Sequence, residues 1–235
     1  MDTIRFFQVY IVQGVLCVFF LFLAYRILTR KKNRLNVVFS AFYFSEAIGL
    51  IINFIYAPLE IWLVVKILNA LTNFFSFYSV MFLLVFVLIV SKSEAVFNRL
   101  KQRILMLISG AVYFCSIFIA FIPELGVNIT APDFTPNWGL LFFFYLMTIT
   151  TVFSTIPTLY YIVKIYNDFE AEGLRDRWRF FLWGIILLYL FMYSIYFRNT
   201  FFPGTIFSTI LAIIGFFLVI LASISIYYGV GRQLA

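Results

Sequence analysis

The sequence predicts an all-α integral membrane protein: a single domain over 1–235, built as a seven-transmembrane-helix bundle with its N-terminus outside and its C-terminus inside. Three observations carry this expectation. The first is composition: 64% of the residues are hydrophobic and 11% charged, and the mean hydropathy is +1.05. Soluble domains run about 45–50% apolar and about 25% charged, so lipid must be the main solvent of this chain. The second is length: apolar runs recur near the roughly 20 residues that span a bilayer. The third is charge, because Lys and Arg cluster in every second break between runs.

The runs cover about 7–28, 35–56, 60–90, 104–123, 138–165, 179–198 and 204–229. RKKNRLN follows the first, APLE the second and SKSEAVFNRLKQR the third. IPELGVNITAPDFTPN, with three prolines and a glycine, follows the fourth. YNDFEAEGLRDRWR follows the fifth and RNTFFPG the sixth. The long third and fifth runs are expected to tilt or to extend past the bilayer. MDTIRF at the start lacks the pattern of a cleavable signal, so translocation is expected to begin with the first run.

Arg26, Arg30, Lys31, Lys32 and Arg34 flank the first break. Lys92, Arg99, Lys101 and Arg103 flank the third, and Lys164, Arg175, Arg177 and Arg179 the fifth. Arg232 follows the last run, while the opposite side has only Arg5 and Arg198. The positive-inside rule then orients the chain. The net charge of +7 follows from this bias and from attraction to anionic headgroups. No basic and aromatic surface points to nucleic acid. The 33 Phe and 15 Tyr suit a lipid-facing surface. Tyr160, Tyr161, Tyr166, Tyr227 and Tyr228 are expected at the inner interface.

The chain has no histidine. That removes haem on axial His, His-bearing zinc proteases and Ser-His hydrolases. The last run, TIFSTILAIIGFFLVILASISIYYG, has no lysine for a retinal Schiff base. Cys17 and Cys115 lie inside apolar runs and are expected as small buried hydrophobes, without disulfide or metal. No cofactor, metal site or catalytic residue is expected. Asn128-Ile129-Thr130 matches a glycosylation sequon in the long outer break.

Within the membrane, polar residues fall in stripes. Glu46 and Asn53 share a face of the second helix, and Lys66, Asn69, Asn73 and Ser76 share a face of the third. A tight turn at Ala57-Pro58-Leu59 makes these helices a hairpin. At about 1.5 Å rise per residue, Glu46 lies roughly 15 Å and Lys66 roughly 9 Å from the outer end. Side chains lean toward their own helix N-terminus, so the two diverge. The expectation is two layers, with Glu46 beside Asn69 or Asn73 and Lys66 beside Asn53 or the outer interface. Such groups either hydrogen-bond helices together or handle a proton or ligand. In the fifth helix, YLMTITTVFSTIPTLYY places Thr148, Thr151, Thr155 and Thr158 at helical spacing around Pro157. Proline frees backbone carbonyls that threonine hydroxyls can satisfy, which marks helix–helix glue or a hinge beside a cavity. Gly14, Gly49, Gly110, Gly184 and Gly215 permit close helix contacts.

GLRDRWRFFLWGIILLYLF carries spaced Arg175, Arg177 and Arg179 into an apolar helix with Gly184. It resembles the corresponding loop and sixth helix of the seven-helix N-terminal membrane sensor modules of microbial histidine kinases. The resemblance implies seven spans, an N-out and C-in layout and a sensory role. The chain departs from that pattern by ending at GVGRQLA, without an effector, so output would pass to a separate partner.

The expected function is a non-enzymatic, receptor-like sensor in the cell membrane. It would take a small lipophilic ligand or a proton near the polar stripes. Lys101, Arg103, Arg175, Arg177 and Arg179 would couple to a protein partner at the cytosolic loops or in the membrane. A second class is a solute or proton-coupled transporter of three-one-three design, as in the SWEET and PQ-loop transporters. Pro58 and Pro203 occupy like turns of the two triplets, but no Pro-Gln dipeptide occurs. A third class is an accessory subunit of a membrane complex.

Overall fold

The computed structural model describes residues 6–30, 32–130, 135–203 and 205–231. Arg5, Lys31 and Arg232 of the charge pattern lie outside these residues, as does the start of the last predicted run at 204. Among the described residues, seven helices are long and apolar enough to cross a membrane. They are α1 (Phe7–Arg30), α2 (Arg34–Tyr56), α3 (Trp62–Ser93), α4 (Arg99–Ala120), α5 (Leu140–Asp168), α6 (Glu172–Phe201) and α7 (Ile206–Val230). The chain is an integral, multi-pass membrane protein.

Two helices begin well before the apolar runs that announced them. α4 starts at Arg99 and α6 at Glu172, because their charged lead-ins are good helix formers. The Asn98 side chain caps α4 by accepting from the Lys101 amide at 3.0 Å, and Glu172 sits in the first turn of α6, where negative charge suits the helix dipole. Asn33 and Thr205 cap α2 and α7 in the same manner as Asn98. α3 is 32 residues long, or about 48 Å at 1.5 Å per residue, so it outruns the hydrocarbon layer. It stops at Ser93, whose φ of 61° breaks the helical path.

α3 is the most enclosed helix. Val80, Met81, Leu83, Val85, Phe86 and Val87 are buried along it. It packs against α2, α4 and α5, and reaches α6 through the Phe77–Tyr196 and Phe86–Phe181 ring pairs. α7 lies along α6 so closely that a Cβ on Gly184 would come within 2.8 Å of the Ile226 nitrogen and 2.9 Å of the Ala222 oxygen. At Gly49, a Cβ would meet the Ser76 hydroxyl at 2.5 Å, which explains the close α2–α3 approach. Gly14 differs from expectation: a Cβ added there would meet nothing within 4 Å, so it faces open space. Cys115 also departs, being exposed on α4 while Cys17 is buried. It sits between buried Tyr113 and Ser116 in sequence, but turned to the outer side of the helix.

The described residues of the break after α4 form two strands that its prolines do not announce. Val127–Thr130 (β1) pairs antiparallel with Thr135–Trp138 (β2), matching Val127 to Trp138. Trp138 is buried against Phe77, Phe142 and Tyr196, so the hairpin seals this end of the bundle. The apolar alternation of Val127 and Ile129, both β-branched, is the local strand signal. The opposite end is basic. There Arg34 donates to Gln102 at 2.8 Å, the Arg30 guanidinium meets the Tyr227 hydroxyl, and Lys92 lies over the Tyr161 ring. These contacts bring the ends of α1, α3, α5 and α7 together with the starts of α2 and α4.

Candidate functional site: two polar seams

The first seam runs between α2 and α3. Ser45 donates to the Phe75 carbonyl at 2.8 Å, and Thr72 donates to the Gly49 carbonyl at 3.3 Å. These bonds set the register. Glu46, partly buried, accepts from the Ser79 hydroxyl at 2.5 Å, and Ser79 also lies 2.6 Å from the Ser76 carbonyl. The partner of Glu46 is therefore Ser79, rather than the Asn69 or Asn73 expected from helix rise. The physical reason is register together with side-chain lean: the Ser45–Phe75 and Thr72–Gly49 bonds put Glu46 about level with Phe75, already past Asn69 and Asn73. Glu46 points toward the start of α2, and on an antiparallel neighbour that direction meets later residues.

Asn69 and Asn73 instead form a chain of their own. Asn73 donates to Asn69 at 3.2 Å, and Asn69 donates to the Tyr56 hydroxyl at 2.9 Å. Asn53 turns to α1 and bonds Gln13, so it does not reach Lys66 as expected. Lys66 is buried, with its ammonium 5.3 Å from the centre of the Phe121 ring, a cation–π arrangement. No ion pair joins Glu46 to Lys66 among the described residues. The seam is thus split among three contacts: Glu46 and Asn69 join α2 to α3, Asn53 joins α2 to α1 and Lys66 meets Phe121, while Asn73 bonds Asn69 within α3.

The second seam lies where α5 meets α4 and α6. A π turn over Thr151–Thr155 interrupts the α-helical path of α5 just before Pro157. The buried face explains it. Leu146, Thr150, Ser154, Thr158 and Ile162 recur at every fourth position. At 3.6 residues per turn such a row drifts around the helix, and one wider turn brings it back. Thr155 donates to the Thr150 carbonyl at 3.3 Å, satisfying a group in the altered ladder.

Tyrosines of α6 engage this turn. The Tyr193 hydroxyl lies 2.9 Å from Thr151 and 2.8 Å from Thr155. Tyr189 meets Ser154 at 2.8 Å, and Tyr196 meets Thr150 at 2.8 Å. From α4, Tyr113 donates to Thr150 at 3.3 Å. Of the expected threonine stripe, Thr151 and Thr155 are brought together, Thr158 is buried, and Thr148 is exposed on the outer side. The π turn shifts the face, so Thr148 falls off it. Tyr113, Tyr189, Tyr193, Tyr196, Thr150 and Ser154 belong to this seam as well, beyond the residues expected from sequence. The helical spacing of Tyr189, Tyr193 and Tyr196 was a legible signal for three of them.

The expected coupling residues all lie at the basic end. The Lys101 ammonium donates to the Val96 carbonyl at 2.8 Å, and Arg179 pairs with Asp176 at 3.3 Å. Arg175 lies 6.0 Å from the Tyr166 ring centre. Arg103 and Arg177 are exposed. Two shallow surface depressions lie elsewhere than the polar seams. One, of about 550 Å³, is lined by Leu159, Tyr160, Val163, Lys164 and Asn167 on α5. The other, of about 470 Å³, lies over Gly14 on α1. Comparison with known proteins finds no matching family model and no similar curated protein.

Proposed function

We propose that this chain is a non-enzymatic, receptor-like sensor of the cell membrane that signals to a separate protein partner. In this reading the N-terminus lies outside and the C-terminus inside. The clustering of Arg26, Arg30, Arg34, Lys92, Arg99, Lys101, Arg103, Lys164 and the α6 arginines at one end supports that orientation. The likeness of the α6 lead-in to kinase-linked sensor modules supports the same class.

One observation carries the reading: the π turn Thr151–Thr155, braced by Tyr193 beside Pro157. A helix that exchanges this turn for α-geometry rotates its lower half against its upper half. α5 connects through residues 169–171 to α6, so the rotation moves the surface bearing Arg175, Arg177 and Arg179. Thr151, Thr155 and Tyr193 are partly exposed, which leaves them within reach of a lipophilic ligand arriving from the bilayer. The Glu46 seam takes no ligand in this reading, because its polar groups bind one another.

A second reading, an accessory subunit of a larger complex, is favoured by that closed α2–α3 seam. The test is purification in mild detergent after cross-linking, with mass spectrometry of what remains bound. A stoichiometric partner lost in the Arg175→Gln, Arg177→Gln, Arg179→Gln variant and altered in Tyr193→Phe is expected. A partner retained equally by both variants favours the accessory subunit. Solute uptake by the purified protein in liposomes overturns the sensor in favour of a transporter.

A further inference from the structure

We infer that the groove on α5 is a binding site for a phospholipid with an anionic headgroup, seated at the level of Lys164 and Lys92. The groove is a shallow, open depression of about 550 Å³ along one face of α5, with a graded lining. Leu159, Tyr160 and Val163 form its apolar length, and Lys164 and Asn167 form its polar end. That grading matches a lipid, with acyl chain along one part and phosphate at the other. Tyr160, Val163, Lys164 and Asn167 are exposed on the outer side of the bundle, where the occupant of a groove is lipid rather than water.

The charge at its end is available. Among the described residues Lys164 makes no ion pair, although Asp168 lies four residues further along the same helix. A second ammonium comes from α3. Lys92 lies 5.1 Å from the centre of the Tyr161 ring, and Tyr161 itself packs edge-on against Tyr160 at 5.1 Å. Lys92 thus approaches through Tyr161 and Tyr160, and Tyr160 and Lys164 both line the groove. Tyrosine beside lysine is the residue pair that anchors at the headgroup level. Basic residues there attract anionic lipid and leave zwitterionic lipid nearly unaffected.

The test uses the purified full chain in a zwitterionic detergent. Phosphatidylglycerol and phosphatidylcholine of identical acyl chains are titrated separately, and bound lipid is counted by native mass spectrometry. The wild type is expected to retain one phosphatidylglycerol under activation that strips phosphatidylcholine. Lys164→Gln and Lys92→Gln are each expected to weaken that preference about fivefold. Lys32→Gln, a charge removed outside the groove, is expected to change it less than about twofold. Thermal unfolding of each variant confirms that the fold is kept. Equal retention of the two lipids, or an unchanged preference in the double lysine variant, overturns the site. Glycerol 3-phosphate displacing phosphatidylglycerol at similar concentration would reassign it to free phosphate and overturn the lipid.

Discussion

Glu46 meets Ser79 across the α2–α3 seam, while Lys66, the nearest cation in sequence on α3, is stacked against Phe121 instead. The carboxyl and the ammonium are therefore held by separate partners. Glu46→Gln keeps an oxygen that accepts from Ser79. It is expected to shift stability by less than about 1 kcal/mol, whereas Glu46→Leu removes the acceptor and costs about 1–2 kcal/mol. Unfolding by a denaturing detergent titrated into mixed micelles measures both.

Tyr193 serves two threonines with one hydroxyl. Tyr193→Phe is expected to lose about 1–2 kcal/mol of stability and to loosen the π turn. Hydrogen exchange at 151–158 should rise in this variant. Thr148→Val, on the exposed side, should stay within about 0.5 kcal/mol.

Gly184 and Gly14 separate packing from composition. Gly184→Val forces a side chain into the α7 backbone and is expected to cost about 1–3 kcal/mol. Gly14→Val meets open space and should be close to neutral. Thermal stability followed by fluorescence-detected size exclusion distinguishes them.

The two cysteines report the packing directly. Cys115 is exposed and Cys17 is buried. In detergent at alkaline pH, where a thiol on the outer face meets water and ionises, a permeant maleimide should label one thiol per native chain and two after denaturation. Intact mass spectrometry reads the count, and Cys115→Ser should abolish native labelling.

Trp138 closes one end of the bundle. Trp138→Ala is expected to destabilise by about 3–5 kcal/mol, since it empties a space lined by Phe77, Phe142 and Tyr196. Its signature is faster exchange of the β1–β2 amides, measured beside the melting temperature.

Much of this architecture was legible in the sequence, because lipid imposes a simple length requirement on apolar runs. The errors have local causes. Hydropathy stops at the first arginine, so it placed the starts of α4 and α6 too late. Polar capping and helix propensity set those ends instead. The polar stripes were legible as stripes, but their partners were not. Register depends on side-chain lean, which displaced Glu46 to Ser79, and on a π turn, which removed Thr148 from its row. Tyrosine was read as an interface residue, although Tyr113, Tyr189 and Tyr196 are buried hydrogen-bonding groups.

The distribution of these bonds bears on how the chain enters a bilayer. Glu46, Asn69 and Asn73 find their partners within the α2–α3 pair. Thr151, Ser154 and Thr155 find theirs within α5 and α6. These two pairs of helices carry their own partners for those polar groups. Synthesis can therefore hand them over as two-helix units with these polar groups already shielded from hydrocarbon. α3 then waits for α5 and α6 to complete its apolar surroundings and to bring Tyr161 to Lys92.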